Sequence, residues 1–279
     1  MNIPVLRVKN DLRLGESYNI FIISDLHIGA RDFNEKAFHK SMSRVYDKCN
    51  EIIILGDIFD AIFTKDKRYT PIAIDSKLSV MDDQLNGAID MAYRILEPYA
   101  GKIRLITKGN HEMSITKYSS IDILKLLVGQ LNDRLGTDIR VGGYGGYIQY
   151  GFAPVKGRVC YYNMLYEHGH GGASTVTKGM IDINRKKVDY SFDGFFFGHK
   201  HSKISDIDTQ ILLSNTGKVM NTTRISAQVG TFKNMIFNSL DVGWEDTKGF
   251  SPSANGGVML TLEMMTEGKD YYIGQEITL

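Results

Sequence analysis

Five short stretches of this chain concentrate the residue types that hold metal ions or move protons. They are Asp25-x-His27, Gly56-Asp57-x-x-Asp60, Gly109-Asn110-His111-Glu112, His168-Gly169-His170 and Gly198-His199-Lys200-His201. Of the seven histidines, His39 alone lies outside them. Alternate side chains of an extended strand share a face, so Asp25 and His27, or His199 and His201, can point the same way. A bend at Gly198 would instead turn the two imidazoles toward neighbouring points. The donor set is imidazole, carboxylate and amide oxygen without thiolate, which suits Mn²⁺, Fe, Zn²⁺ or Ni²⁺ rather than a soft-ligand site. Asp57 and Asp60 follow an apolar run, and buried carboxylates without a partner are costly, so a cation is the economical explanation for both. Each stretch alone has a plainer reading: a helix cap for Asp25, Asp57 or Asp60, or a solvated loop pair for the histidines. The repetition of the pattern argues against those readings.

The elements that must position these residues are legible from hydrophobic periodicity. Apolar runs at 18–23, 52–55, 103–106 and 195–197 have strand length, and each leads into one of the clusters. Amphipathic spacing predicts helices over 33–48 and 81–97, the second ended by Pro98, and one or two helices over 119–135. Alternation of strand and helix over 18–130 argues for an α/β protein with right-handed crossovers and a largely parallel central sheet. All the strand ends would then lie along one edge, where open α/β sheets place their chemistry. From 147 to 166 the pattern is β-rich, 202–232 reads as strands and turns, and 258–263 and 271–279 as closing strands. His39 falls on a helix surface and has no assigned role. The segment 61–80, with Lys65 to Arg68, reads as an irregular loop near the site, and 235–257 holds the only tryptophan, Trp244, with Phe250. The basic residues Lys178, Arg185, Lys186 and Lys187 read as a solvated helix face rather than a substrate-binding patch. No repeat, low-complexity tract or linker divides residues 1–279, which are read as one domain.

Composition narrows the function classes. The 33 basic and 32 acidic residues leave a net charge of +1, so no global field recruits nucleic acid or an anionic membrane, although a local basic patch stays compatible. Cys49 and Cys160 match no metal or redox spacing and read as small core residues in a reducing compartment. The start of the chain has no signal pattern, and no apolar run approaches the roughly 20 residues of a membrane helix. A cytoplasmic protein is expected.

The five blocks, in this order and each after a strand, resemble the calcineurin-like metallophosphoesterase superfamily over residues 20–201. The resemblance implies a four-layer αββα sandwich, two mixed sheets flanked by helices, with two metal ions at the carboxyl ends of the strands. By motif position Asp25, His27 and His201 would hold one ion, Asn110, His168 and His199 the other, and Asp57 would bridge them. Two cations roughly 3.5–4 Å apart can clamp the attacking and leaving oxygens of an in-line displacement at phosphorus. The resemblance implies a shared hydroxide as nucleophile, Mn²⁺ as the foremost candidate ion, and His111 as the group that stabilises phosphoryl oxygens or protonates the leaving group. Asp60 would orient His111. His170 is expected beside the ligands rather than among them.

Departures from several branches bear on the substrate. Gly109-Asn110-His111-Glu112 has the form seen in serine/threonine protein phosphatases, yet no arginine follows Asp60, and Gly198-His199-Lys200-His201 also differs from that branch. The Phe59-Asp60 pair looks like blocks in double-strand-break-repair nucleases and lipid A pathway pyrophosphohydrolases. The expected activity is hydrolysis of a phosphate ester, with a phosphodiesterase or nuclease favoured over a phosphomonoesterase or nucleotide pyrophosphohydrolase. A binding scaffold that kept the fold and lost turnover is the alternative of another class, and the filled ligand positions argue against it. Trp244 and Phe250 could stack a base or merely close the core.

Overall fold

Alternation of side chains along three short parallel strands explains most of the architecture. In β2 (Ser17–Ile23) the residues Ile20 and Ile22 face one way and Phe21 and Ile23 the other, and all four are buried. β3 (Glu51–Ile54) is buried throughout, and β4 (Ile103–Ile106) is buried but for Arg104. A strand buried on both faces needs a layer on each side. The computed structural model describes residues 3–60, 74–153, 159–172, 176–213, 217–234, 237–238, 241–242, 255–268 and 270–279. Lys65 to Arg68, Trp244 and Phe250 therefore lie outside the described residues.

One outer layer is formed by α1 (Glu35–Val45), α3 (Gln84–Leu96) and α5 (Ile123–Leu135). Phe38, Met42, Ala88, Leu96 and Leu127 from these helices pack against Phe21, Ile23, Ile52 and Ile54. A short α2 (Ser76–Ser79) precedes α3, and α4 (Asn110–Ser119) precedes α5. The inner seam joins Ile20, Ile22, Ile53 and Leu55 to Tyr150, Phe152, Met164 and Phe196 of a second sheet. Behind that sheet, Ile183 of α6 (Met180–Asp189) packs on Leu165, Phe195 and Phe197. Three apolar seams thus separate four layers, helix–sheet–sheet–helix.

The first sheet has the order β14-β13-β2-β3-β4-β5, with β5 Arg140–Val141, β13 Val258–Glu267 and β14 Asp270–Thr278. β2 to β5 are parallel, while β13 pairs antiparallel with β2, so the sheet is mixed. The second sheet has the order β1-β6-β7-β8-β10-β9. Its strands are β1 (Val5–Asp11), β6 (Gly145–Ala153), β7 (Cys160–Glu167), β8 (Gly194–Phe197), β9 (Ile204–Leu213) and β10 (Val219–Gln228). A two-residue pair, β11 (Phe237–Asn238) and β12 (Asp241–Val242), stands apart. β7 and β8 run parallel with Glu167 opposite Phe197, so His168 and Gly198 leave the sheet side by side.

Local chemistry trims the expected helices. Asn34 and Asp83 cap α1 and α3 by accepting from Ala37 and Asn86, which starts both helices later than the apolar stripe implies. α4 begins at Asn110, inside the third cluster, well before the helix expected from 119. β1 went unread in the sequence, because its burial comes from pairing with β6 and not from a strong apolar run. Cys49 is buried and Cys160 half-buried, and both are free thiols. Among the described residues no helix is long and apolar enough to cross a membrane.

Candidate metal centre

Both sheets deliver their strand ends to one edge. Asp25 and His27 follow β2, Asp57 and Asp60 follow β3, Asn110 and His111 follow β4, His168 follows β7, and His199 and His201 follow β8. The turns that present them are strained. Asp25, His27, Asp57, His199 and His201 have φ of 53°, 54°, 48°, 71° and 55°, the left-handed region that L side chains avoid. Such conformations persist where the surroundings hold them, and they cluster at functional sites. Here the Asp25 carbonyl accepts from the Phe232 amide at 3.0 Å and from Thr231 Oγ1 at 2.8 Å. Two glycines let the loops close in: a Cβ on Gly109 would collide with the Asp57 carboxylate, and one on Gly198 with Ser24 and Asp25.

Three groupings could hold a metal ion: Asp25, His27 and His201; Asp57, His168 and His199; and His27, Asp57 and His111. Ring orientation tells which atoms are offered. His27 Nδ1 lies 3.1 Å from Asp60 Oδ1, and His168 Nδ1 lies 2.8 Å from the Leu55 carbonyl. With Nδ1 donating, each ring in its neutral form would turn an Nε2 lone pair inward. His27 Nε2 meets His201 Nε2 at 3.1 Å, and His201 Nε2 is 3.3 Å from Asp25 Oδ1. That Asp25 oxygen is buried and has no hydrogen-bond partner, whereas Asp25 Oδ2 accepts from the His199 amide at 2.8 Å. His168 Nε2 lies 3.1 Å from Asp57 Oδ2 and 3.2 Å from Asn110 Oδ1. Asp57 Oδ2 also stands 4.0 Å from His27 Nε2 and 3.9 Å from His111 Nε2. Acceptors crowded on a common point repel unless positive charge sits among them. The donor set therefore fits divalent cations in two adjoining positions, with Asp57 between them.

In the metal-free protein, protons supply positive charge among these atoms. Burial opposes charge on His27 and His168, yet Asp25 and Asp60 push the first up to about 10, and Asp57 pushes the second up to about 9. Burial would raise Asp25 and Asp57, but the imidazoles around them hold both well below the carboxylate range. His111 and His199 are shifted down, chiefly by burial, so their neutral forms are favoured.

The sequence-derived residues are thus brought together: Asp25, His27, Asp57, Asn110, His168, His199 and His201 converge at one edge of the two sheets, with His111 and Asp60 beside them. Two details differ from the expected layout. The hydrogen bond between Asp60 and His111 is made by the Asp60 backbone carbonyl, 2.7 Å from His111 Nδ1, while the Asp60 carboxylate, 3.1 Å from His27 Nδ1, stands 3.8 Å from His111 Nδ1. His111 also belongs to one of the three ligand-competent groupings, although its expected role is not that of a ligand. His170 is exposed and lies 3.1 Å from Glu167. His39 contacts Tyr99 Oη at 2.7 Å, away from the centre. Of the basic cluster, Lys186 pairs with Glu167 and Lys187 with Asp206 and Asp208, while Lys178 and Arg185 are exposed.

Sequence reasoning missed several neighbours of the centre. Lys233, mostly buried, lies 3.3 Å from Asp32 and 4.0 Å from Asp60 Oδ1. Asp32 is raised by burial, an effect Lys233 partly offsets. Glu112 is fully buried against three backbone amides and is raised to about 7 by burial and by Asp57. Tyr144 donates to the Gly169 carbonyl and packs edge-on to His168. Asp32, Lys233 and Tyr144 carry no local signal, and Glu112, though visible in the third stretch, also acts on amides more than fifty residues away.

No curated protein matches the chain in sequence. Among solved structures, Vacuolar Protein Sorting 29 from Cryptosporidium parvum is 11% identical, with 94% of this chain and 98% of that chain covered and a TM-score of 0.38. A predicted phosphoesterase from Streptococcus pneumoniae TIGR4 is 9% identical, with 94% and 99% covered and a TM-score of 0.34. A metallophosphoesterase from Sphaerobacter thermophilus is 13% identical, with 88% and 83% covered and a TM-score of 0.34. The family model of the calcineurin-like phosphoesterases matches residues 18–203, the span from β2 to just beyond His201, and the chain belongs to that family.

Proposed function

We propose that this protein is a two-metal hydrolase of phosphate esters that prefers diesters to monoesters. The observation that carries the reading is the convergence of ligand-competent atoms, with Asp25 Oδ1 buried and unbonded beside the facing Nε2 atoms of His27 and His201. Asp25, His27 and His201 would hold one ion, Asn110, His168 and His199 the other, and Asp57 both. When bound, two divalent cations supply Lewis-acid stabilisation of phosphoryl oxygens and an acidified attacking water. The chain's own residues set the geometry. Asp60 and the Leu55 carbonyl fix the tautomers of His27 and His168, so that each turns a lone pair inward. The Asp60 carbonyl accepts from His111 Nδ1 and leaves Nε2 near Asp57 Oδ2, where the ring, once it takes up a second proton, would serve a phosphoryl oxygen or a leaving group.

Support for the diester preference comes from charge. A monoester dianion calls for cationic clamps beyond the metals. None of the five blocks contains an arginine, Lys186 and Lys187 are engaged by acidic partners, and Lys233 stands against Asp32 and Asp60. A nucleic-acid diester is one candidate within this class, as is Mn²⁺ among the metals. The deciding measurement is kcat/KM for bis-p-nitrophenyl phosphate against p-nitrophenyl phosphate at one pH and one Mn²⁺ concentration. EDTA should abolish both activities and Mn²⁺ restore them. A clear preference for the monoester overturns the diester assignment, and full turnover in metal-free protein overturns the mechanism.

A further inference from the structure

Glu112 lies in the first turn of α4 with its carboxylate turned into the protein, 1% exposed. It touches none of the inward-facing acceptor atoms. Its Oε2 accepts from the amides of Gly109 at 2.8 Å and Asp57 at 3.1 Å, and its Oε1 accepts from the amide of Phe59 at 3.0 Å. Capping α4 requires only the Gly109 bond. The other two reach across to the loop after β3, where Asp57 is held in a left-handed conformation. A return bond runs from the His111 amide to Asp57 Oδ1 at 2.9 Å.

We propose that Glu112 is a positioning residue whose carboxylate clips the Asp57 loop to the start of α4 and thereby sets the spacing of Asp57, Asn110 and His168. This rests on the two-metal reading above. The three amides are donors in a buried place, and nothing but a carboxylate with both oxygens free can accept from all of them. A glutamine must turn its NH₂ toward at least one N–H, whichever way the amide is placed. An aspartate falls short by one methylene, roughly 1.5 Å. The half-site of Asp25, His27 and His201 receives no bond from Glu112, so the clip bears more heavily on the position of Asn110 and His168 than on the one it reaches only through the shared Asp57.

The test compares Mn²⁺ binding, by calorimetry and by elemental mass spectrometry, in wild type, Glu112→Gln, Glu112→Asp and the control Asp83→Ala. Asp83 caps α3 away from the site. Wild type should take up two ions. Both Glu112 variants should bind one ion within a few-fold of wild type and the other about 10–100-fold more weakly. Asp83→Ala should lower Tm while leaving both affinities unchanged. If Glu112→Gln binds two ions as wild type does, the clip is refuted. Should the Glu112 variants not fold, amide exchange in metal-free wild type decides: protection of Asp57, Phe59 and Gly109 supports the clip, and exchange at open-loop rates overturns it. A wild type that takes up fewer than two ions defeats the two-metal reading instead, and the exchange measurement still judges the clip.

Discussion

Glu51 opens β3 and Asp57 lies just past its close, and each is 1% exposed. The surroundings of these two buried carboxylates differ in kind. Glu51 meets only donors: Tyr18 Oη at 3.0 Å and Arg104 Nε at 3.2 Å on Oε2, and Tyr150 Oη from the facing sheet on Oε1. Asp57 gives one oxygen to the His111 amide and turns the other toward three imidazoles. Seven described non-glycine residues have positive φ; five of them are ligand candidates, and Glu51 is not among the seven. A polar cluster closed by its own donors ties two sheets together. A cluster that ends in converging acceptors on strained turns has valence left for something else.

Substitutions that move one end of β3 and not the other probe this contrast. The largest expected effect on turnover is at Asp57: Asp57→Ala should lose metal at both positions and reduce kcat/KM by about three orders of magnitude or more. A variant that keeps both ions would show that Asp57 does not join them. His111→Ala should come next, with a loss of about 10²–10³ in kcat and both ions retained. Release of an ion on elemental analysis would instead make His111 a ligand.

The pH dependence gives a smaller, graded effect. His27 and His168 are pushed up to about 10 and 9, so they carry protons at neutral pH that a cation must displace. Mn²⁺ affinity should therefore rise with pH, by about tenfold per unit for each proton released, and calorimetry in buffers of different ionisation enthalpy counts those protons. Folding of the metal-free protein should run the other way. A histidine raised from 6.5 to about 10 stabilises fully below pH 6.5, and that contribution fades as pH climbs through 10. A metal-free Tm that increases between pH 7 and 10 would contradict these protonation states. Smallest for activity is Glu51→Gln, which should leave kcat/KM unchanged while costing about 1–3 kcal/mol of stability in urea, because a donor replaces an acceptor against buried donors. A matching loss of activity would erase the distinction between the two ends of β3.

Residue types and hydrophobic period by themselves determined the strands β2, β3, β4, β7 and β8, most of the helices, and the inventory of imidazoles and carboxylates at the strand ends. Those signals are local, since a buried strand and the polar turn after it are contiguous in the chain. Tertiary structure alone decided how the inventory is held. Glu112 acts on amides more than fifty residues away, Thr231 and Phe232 brace Asp25 across the fold, Lys233 stands by Asp60, and Tyr150 reaches Glu51 from the facing sheet. The exchange between Asp60 carboxylate and carbonyl, one serving His27 and the other His111, is likewise visible only in three dimensions. A bond to a distant backbone amide imposes no spacing and no periodicity on the sequence, so the candidate ligands were legible and the groups that hold them were not.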